Sequence, residues 1–154
     1  MKKIILAIIA GIIPLVLPAA STDFWFRHFS VEDGLSSNSV RAIMQDKYGF
    51  MWLGTDDGLN RYDGTTIKVY NLNPQGSNDY ISSLYDTTDN IWVGTEGGVY
   101  IFDYETESFE LFKVLTAQGD SIKSNVNHIA EDRDGNLWFS TVGQGIFKYN
   151  ISKH

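Results

Sequence analysis

The chain has 154 residues, a net charge of −7 and no cysteine. An acidic chain lacks the basic surface that nucleic acids require, and an anionic membrane surface is disfavoured for the same reason. Without cysteine, the fold cannot depend on disulfide bonds. Aromatic residues make up 14% of the chain and glycine is frequent, which favours short strands, glycine-rich turns and an all-β fold.

The first predicted element is an export signal. Lys2 and Lys3 precede an apolar run from Ile4 to Leu17, and small residues follow as far as Ser21. This pattern is typical of a secretory signal peptide, which we predict over residues 1–21. The apolar run is about 14 residues, whereas a membrane-spanning helix needs roughly 20. We therefore predict a periplasmic mature chain without a membrane span, with an uncleaved N-terminal anchor as the alternative.

A threefold internal repeat dominates the remainder, residues 24–154. Trp52, Trp92 and Trp138 are 40 and 46 residues apart. They mark three similar segments, VRAIMQDKYGFMWLGTDDGLNRYD, ISSLYDTTDNIWVGTEGGVYIFD and VNHIAEDRDGNLWFSTVGQGIFKYN. A period in the forties, made of short strands, indicates the blades of a β-propeller. We predict about three four-stranded antiparallel blades over residues 40–70, 81–112 and 126–150, forming an incomplete ring.

A short pattern, in which an apolar residue precedes an aromatic one by three positions, predicts the outer strand of each blade. It occurs in IKVY at residues 67–70 and in FELF at residues 109–112. The same pattern in FRHF, residues 26–29, lies ahead of the first repeat. We predict that this segment is an outer strand that completes the last blade of a ring.

Two residues recur at fixed positions in each repeat and serve as structural markers. An aspartate, Asp46, Asp86 or Asp132, stands six residues before each tryptophan, and a Gly-Thr or Ser-Thr pair follows it. A large ring at one register position in every copy is typical of the core between blades. The paired glycines predict close packing, with the threonine hydroxyl bonded across the blade. The alternative is that one tryptophan is a stacking platform for a sugar.

Candidate ligand contacts lie in the turn after the second strand of each blade. Asp56, Asp57, Glu96 and Gln144 occupy equivalent turns, so they are predicted to share one face of a propeller. Solvated turn residues are the interpretation that we prefer, and ligand contacts on this face are the alternative. The three histidines are scattered without metal-ligand spacing, and no phosphate-binding loop or nucleophile motif occurs. We therefore predict no catalytic, cofactor-binding or metal-binding residue.

Three blades are too few for a closed propeller, which typically has about four to eight. Each blade buries its apolar faces against neighbours, so an open stack leaves two faces uncovered. The predicted partners are further propeller blades, supplied either by a longer chain or by another copy of this one. A truncated product and a dimer with six blades are both compatible with the repeats.

The stretch FRHFSVEDGLSSNSVRAIMQDKYGFMWLGTDDGLNRYDG, residues 26–64, resembles the opening of the periplasmic sensor of hybrid two-component histidine kinases from Bacteroidetes. The repeats are similar to two-component regulator propeller repeats. This resemblance implies a sensor of oligosaccharides released from glycans, in proteins whose kinase and DNA-binding output domains lie in the cytoplasm. The chain itself contains no kinase motif, so we predict a non-catalytic sensor segment. An oligomerising carbohydrate-binding or carbohydrate-active small propeller is the alternative.

Overall fold

The computed structural model describes residues 25–72, 80–113, 119 and 121–151. The signal peptide predicted over residues 1–21 lies outside these ranges. Within them, no helix has the length and apolar character needed to cross a membrane. Apart from a single 3-10 turn at Val31–Asp33, the regular structure of the described residues consists of β-strands. The predicted all-β class is therefore confirmed.

Eleven strands form three antiparallel sheets. The first sheet contains β1 (Val40–Gln45), β2 (Met51–Thr55), β3 (Gly58–Tyr62) and β4 (Ile67–Tyr70). The second contains β5 (Ile81–Asp86), β6 (Ile91–Thr95), β7 (Gly98–Asp103) and β8 (Ser108–Leu111). The third contains β9 (Val126–Glu131), β10 (Asn136–Thr141) and β11 (Ile146–Asn150). In each sheet the strands lie side by side in chain order, because every connection is a hairpin.

The three sheets are arranged around their first strands. β1 packs beside β5, and β5 packs beside β9, so the strands of each sheet run outward from this inner row. Each inner strand carries a bulge at the same place, next to Val40, Ile81 and Val126. A bulge increases the local twist of a strand, and its repetition gives successive sheets the same shape.

Two apolar cores lie between successive sheets. Trp52 is fully buried against the second sheet, where it contacts Ile81 and the ring of Phe102. Trp92 is 3% exposed and packs with Phe139 of the third sheet. The tryptophan of each sheet therefore faces the next sheet along the chain, and it supplies a large part of the apolar area buried there.

The predicted outer strand at residues 26–29 is not formed. These residues have no strand structure, and Phe26 is 96% exposed. A strand forms when its backbone groups pair with a neighbour, and no sheet of the described chain pairs with this segment. The third sheet accordingly has three strands among the described residues rather than the predicted four.

The outer faces of the first and third sheets carry apolar side chains. On the first sheet, Ile43 is 66% exposed beside a cavity of about 220 Å³ that Phe29, Met51 and Leu53 also line. On the third, Trp138 is partly exposed and Lys148 lies over its ring. Trp52 and Trp92, which occupy the same position in the other two sheets, are buried in the two cores. Trp138 differs from them because no sheet follows the third one among the described residues.

Candidate functional site

The hairpins define two opposite faces of the three sheets. The Glu96 face consists of the turns between the second and third strands, residues 56–57, 96–97 and 142–145. The Asp46 face consists of the turns between the first and second strands, residues 46–50, 87–90 and 132–135.

On the Asp46 face, the aspartates of the first and third sheets bind the tryptophan of their own sheet. Trp52 Nε1 donates to Asp46 Oδ2 at 2.8 Å, and Trp138 Nε1 donates to Asp132 Oδ2 at 2.8 Å. The second oxygen of each carboxylate accepts backbone N–H groups of the turn. These bonds, above all the one from Trp138, lower the pKa of Asp132 well below its usual range. One carboxylate thus fixes both the turn and the indole.

Asp86 does not bind the tryptophan of its own sheet. The prediction, from its spacing to Trp92, that it is equivalent to Asp46 and Asp132 was therefore wrong. Asp86 lies within β5 and accepts the backbone N–H of Lys47 at 2.8 Å, and no bond joins it to the Trp92 indole. Tyr104 Oη lies 3.4 Å from Asp86 Oδ1 and 3.4 Å from Asp46 Oδ2. Burial, followed by the charge of Asp46, raises the pKa of Asp86 despite the bond from Lys47. Asp86 therefore connects the first sheet to the second.

Turn length explains the difference. The backbone N–H of Asp46 bonds the carbonyl of Phe50, four residues on, whereas that of Thr87 bonds the carbonyl of Asn90, three residues on. The second turn is one residue shorter, so Thr87 occupies the position of Asp46 and Asp132. Counting six residues back from Trp92 therefore gives Asp86, one position too early.

The four predicted ligand-contact residues all lie on the Glu96 face, but two of them are engaged within the protein. Asp56 forms an ion pair with Arg41 at 2.6 Å, and this bond lowers the pKa of Asp56. Gln144 accepts the backbone N–H of Lys123 and donates to the carbonyl of Ser121. Asp57 and Glu96 are exposed on their turns, so they are the two carboxylates that this face presents to solvent.

The threonines that recur in the three repeats have a local role. Thr55, Thr95 and Thr141 each donate from Oγ1 to the carbonyl at the far side of their own tight turn, at 2.9, 3.1 and 2.8 Å. The bond expected across the blade is thus replaced by a bond within each hairpin, and the Thr55 hydroxyl also shares a hydrogen bond of 2.8 Å with Ser36 Oγ. No group of three or more acidic, histidine or cysteine side chains suited to a metal ion occurs among the described residues.

One feature of the Asp46 face was not predicted. A cavity of about 220 Å³ opens between the second and third sheets, and Thr87, Asn90, Trp92 and Glu131 are part of its lining. The sequence contained one indication of it, namely the shorter turn of the second repeat.

Comparisons with known proteins connect this architecture to sensor proteins. A family model of the two component regulator propeller matches residues 34–57 and 121–143. Histidine kinase P4 of Formosa agariphila is 46% identical over 70 residues, which is 46% of this chain and 5% of that protein. The chain thus spans a small part of this relative.

Two solved structures have similar folds. The extracellular domain of a protein assigned as a hybrid two component system of B. thetaiotaomicron has a TM-score of 0.73 and 31% identity, over 82% of this chain and 19% of that one. The extracellular domain of a protein assigned as a one component system of the same organism has a TM-score of 0.64 and 26% identity, over 77% and 18%. The chain therefore carries two-component regulator propeller repeats and is homologous to the extracellular sensor domains of Bacteroides hybrid two-component systems.

Proposed function

We propose that this chain is a non-catalytic, periplasmic part of a sensor propeller that binds oligosaccharides derived from glycans. The observation that carries the proposal is the similarity over 82% of the chain to the extracellular domain of a two-component system. An extracellular domain of such a system receives the stimulus, and its role is to bind rather than to transform a ligand.

The Glu96 face supports an oligosaccharide as this ligand. Asp57 and Glu96 present exposed carboxylates in equivalent turns of neighbouring sheets. Carboxylates accept hydrogen bonds from hydroxyl groups, and bonds to charged groups are the stronger ones. A chain of sugars offers hydroxyls at regular intervals, so it can reach two turns at once.

Glu96→Ala is expected to weaken oligosaccharide binding by roughly ten- to a hundredfold, because a hydrogen bond to a charged group contributes about 1.5–3 kcal/mol. Calorimetric titration with purified oligosaccharides of plant and host glycans measures this change. Glu110→Ala removes an exposed carboxylate from β8, away from the Glu96 face, and should leave the affinity unchanged. Equal affinities of the two variants, or no binding of any oligosaccharide, would contradict the proposal. Release of sugar fragments by the chain would instead support a carbohydrate-active propeller.

We further propose that each outer face packs against a further propeller sheet. Trp52 and Trp92 are buried by the sheet that follows them, whereas Trp138 and the apolar face around Ile43 are partly open. Exposed apolar patches of this kind are typical of protein interfaces. The solved relatives are about five times longer than the matched region, which leaves ample chain for such sheets in proteins of this type.

For the chain by itself, this second proposal predicts self-association through the outer faces. Ile43→Lys places a charge on the first sheet's outer face and should shift the sedimentation profile toward the monomer. Thr88→Lys adds the same charge at an exposed position in the turn 87–90 of the second sheet, which lies between the other two and has no outer face, and should not. A chain that remains monomeric at all concentrations, or equal effects of the two lysines, would exclude this interface.

A further inference from the structure

The cavity on the outer face of the first sheet has the lining of a tryptophan site. Its volume is about 220 Å³, and Met51, Leu53 and Tyr62 are part of its lining. Strand pairing places these three residues at the positions of three residues of the second sheet that pack around Trp52, namely Ile91, Val93 and Phe102. The cavity is therefore the counterpart of a surface that covers an indole elsewhere in this chain.

Phe29 lies beside this cavity, where the outer strand of a preceding sheet would end. Its ring contacts Tyr62 edge-on, with the ring centroids 4.9 Å apart. The aromatic residues that end the outer segments of the first and second sheets contact the same position of the following sheet, also edge-on: Tyr70 against Phe102 at 5.8 Å, and Phe112 against Tyr149 at 4.9 Å. Residues 26–29 thus end on their own first sheet in the way that an outer strand ends on the sheet that follows it.

The third sheet has the complementary surface. Among the described residues, no fourth strand pairs with β11. Trp138 is partly exposed on the outer face of this sheet, and its N–H is bonded to Asp132 as that of Trp52 is bonded to Asp46. An indole with a bonded N–H needs no further polar partner when it is covered. The third sheet therefore offers an indole and an unpaired strand edge, and the first offers a cavity and residues 26–29.

We propose that two copies of this chain associate head to tail, the third sheet of one copy packing on the first sheet of the other. Residues 26–29 of one copy pair with β11 of the other, and Trp138 enters the cavity beside Ile43. This inference rests on the proposal that the outer faces pack against further sheets, and it specifies the partner and the residues that meet. Two copies of three sheets fall within the about four to eight blades of a closed propeller, so this contact can close into a ring.

The inner ends of the two sheets stay farther apart in this contact than they do within one copy. Ser140 and His128 occupy the positions of Gly94 and Ser83 in the second sheet. A methyl group at position 94 would lie 3.0 Å from the neighbouring sheet, so the larger Ser140 prevents an equally close approach. The contact is therefore made by the middle and outer strands, where Trp138 and β11 lie.

The register of the new strand pair follows from the two pairs within the chain. Opposite residues at the second position of the outer strand are Lys68 with Arg61 and Glu110 with Ile101. The same register places Arg27 opposite Lys148. Two basic residues already face each other in the first sheet, so the charges do not exclude this register. Opposite Cα atoms of an antiparallel pair are about 4.5–5.5 Å apart, which a disulfide can span.

Disulfide crosslinking of the whole chain tests this contact, because the chain contains no cysteine of its own. Arg27→Cys and Lys148→Cys are mixed under mild oxidation, and a species of twice the mass should appear on a non-reducing gel. Neither variant should form it alone, because a head-to-tail contact does not join the same residue of two copies. Glu110→Cys is the matched control. It occupies the position of Arg27 on a strand that is already paired within its own sheet, so it should not crosslink to Lys148→Cys.

Sedimentation of the unsubstituted chain distinguishes the two proposals. A chain that stays monomeric at all concentrations overturns both the packing of the outer faces and this pairing. Self-association without the crosslink between positions 27 and 148 overturns the head-to-tail pairing alone. The same holds if either variant crosslinks equally well with itself, or if Glu110→Cys crosslinks equally well to Lys148→Cys.

Arg27→Pro tests the strand pairing without oxidation. The backbone N–H of Phe112, at the position of Phe29, donates to the carbonyl of Val99 at 2.8 Å, so the N–H groups of residues 27 and 29 face β11 in the new pair. Proline has no N–H and should raise the dissociation constant of the dimer roughly tenfold or more. Arg27→Ala loses the same guanidinium and should raise it much less. Residue 27 lies in no strand of the single chain, so proline there spares the fold. Equal dissociation constants of the two variants overturn the strand pairing.

Discussion

Replacing Asp46 by alanine is expected to destabilise the chain by about 3–5 kcal/mol. Three donors lose a charged acceptor, and each such hydrogen bond contributes about 1.5–3 kcal/mol. Solvent compensates for part of this loss. The donors are Trp52 Nε1 at 2.8 Å and the backbone N–H groups of Tyr48 and Phe50, each at 2.9 Å. Asp46 is 5% exposed and Trp52 is fully buried. The indole in particular cannot turn to solvent, so its penalty remains.

Asp132→Ala is the comparison variant, because Asp132 makes the same three kinds of bond at 2.8–3.0 Å. Asp132 also accepts from Asn136 Nδ2 at 2.8 and 2.9 Å, so Asn136→Ala is measured beside it to give the share of that bond. The indole partner of Asp132, Trp138, lies on an outer face and is partly exposed, so water can replace the carboxylate there. Urea unfolding at neutral pH should therefore give a clearly smaller loss for Asp132→Ala than for Asp46→Ala. Equal losses would show that burial of the indole is not what makes the bond valuable.

Asp46→Asn separates the two functions of the carboxylate. Its amide oxygen can still cap the turn, but its nitrogen is a donor and cannot accept the indole N–H. This variant should reproduce in the first sheet what Thr87 does naturally in the second, where its single oxygen caps the turn and does not accept the indole N–H. Its loss of stability should fall between zero and that of Asp46→Ala. A loss equal to that of alanine would place the whole effect in the bond to the indole, and no loss would place it in the turn.

The repeat sufficed to predict which residues form strands, because strand pairing within a sheet is local. The outer strands expected at residues 67–70 and 109–112 were found at 67–70 and 108–111. Each follows a tight hairpin from the strand it pairs with, so the pattern and the partner lie close together in the sequence. Residues 26–29 have the same pattern but no adjacent partner, and they form no strand.

Contacts between sheets were harder to predict, because they depend on a shift of one residue. Asp86 has the same spacing to its tryptophan as Asp46, yet the shorter turn moves it into β5 and Thr87 takes its place. The cavity beside Trp92 follows from that shift.

The contacts of Gln144 were not predicted either. Its position in a turn was predicted from the repeat. Its bonds to residues 121–124 depend on how the preceding loop returns to the third sheet, which the repeat does not specify.

Gly94→Ala is the second substitution with a large expected effect, and it tests how closely the sheets approach. A methyl group at position 94 would lie 2.1 Å from Ser83 Oγ and 3.0 Å from both Cβ and the carbonyl oxygen of Val126. Ser83 is buried and donates to that carbonyl at 2.8 Å. Side chain, backbone and the neighbouring sheet would all have to move. Overpacking of this kind typically costs about 1–3 kcal/mol, and we expect the upper end of that range.

Gly97→Ala is the matched control in the same hairpin, because nothing lies within 4 Å of its added methyl group. Thermal and urea unfolding should place this variant within about 0.5 kcal/mol of the parent chain, as for most surface substitutions. Adding Ser83→Ala to Gly94→Ala removes the shortest clash and should recover part of the loss, but the contact with Val126 remains.

The third repeat shows that a glycine is required at this position only where another sheet packs against it. Ser140 pairs with Ile146 on the outer face of the third sheet, at the position that Gly54 and Gly94 occupy in the other two. Gly54 faces Ile81 as closely as Gly94 faces Val126, whereas Ser140 faces no following sheet of the described chain. If Gly94→Ala were as mild as Gly97→Ala, the inner strands would have room to separate, and the two glycines could not be what sets the distance between sheets.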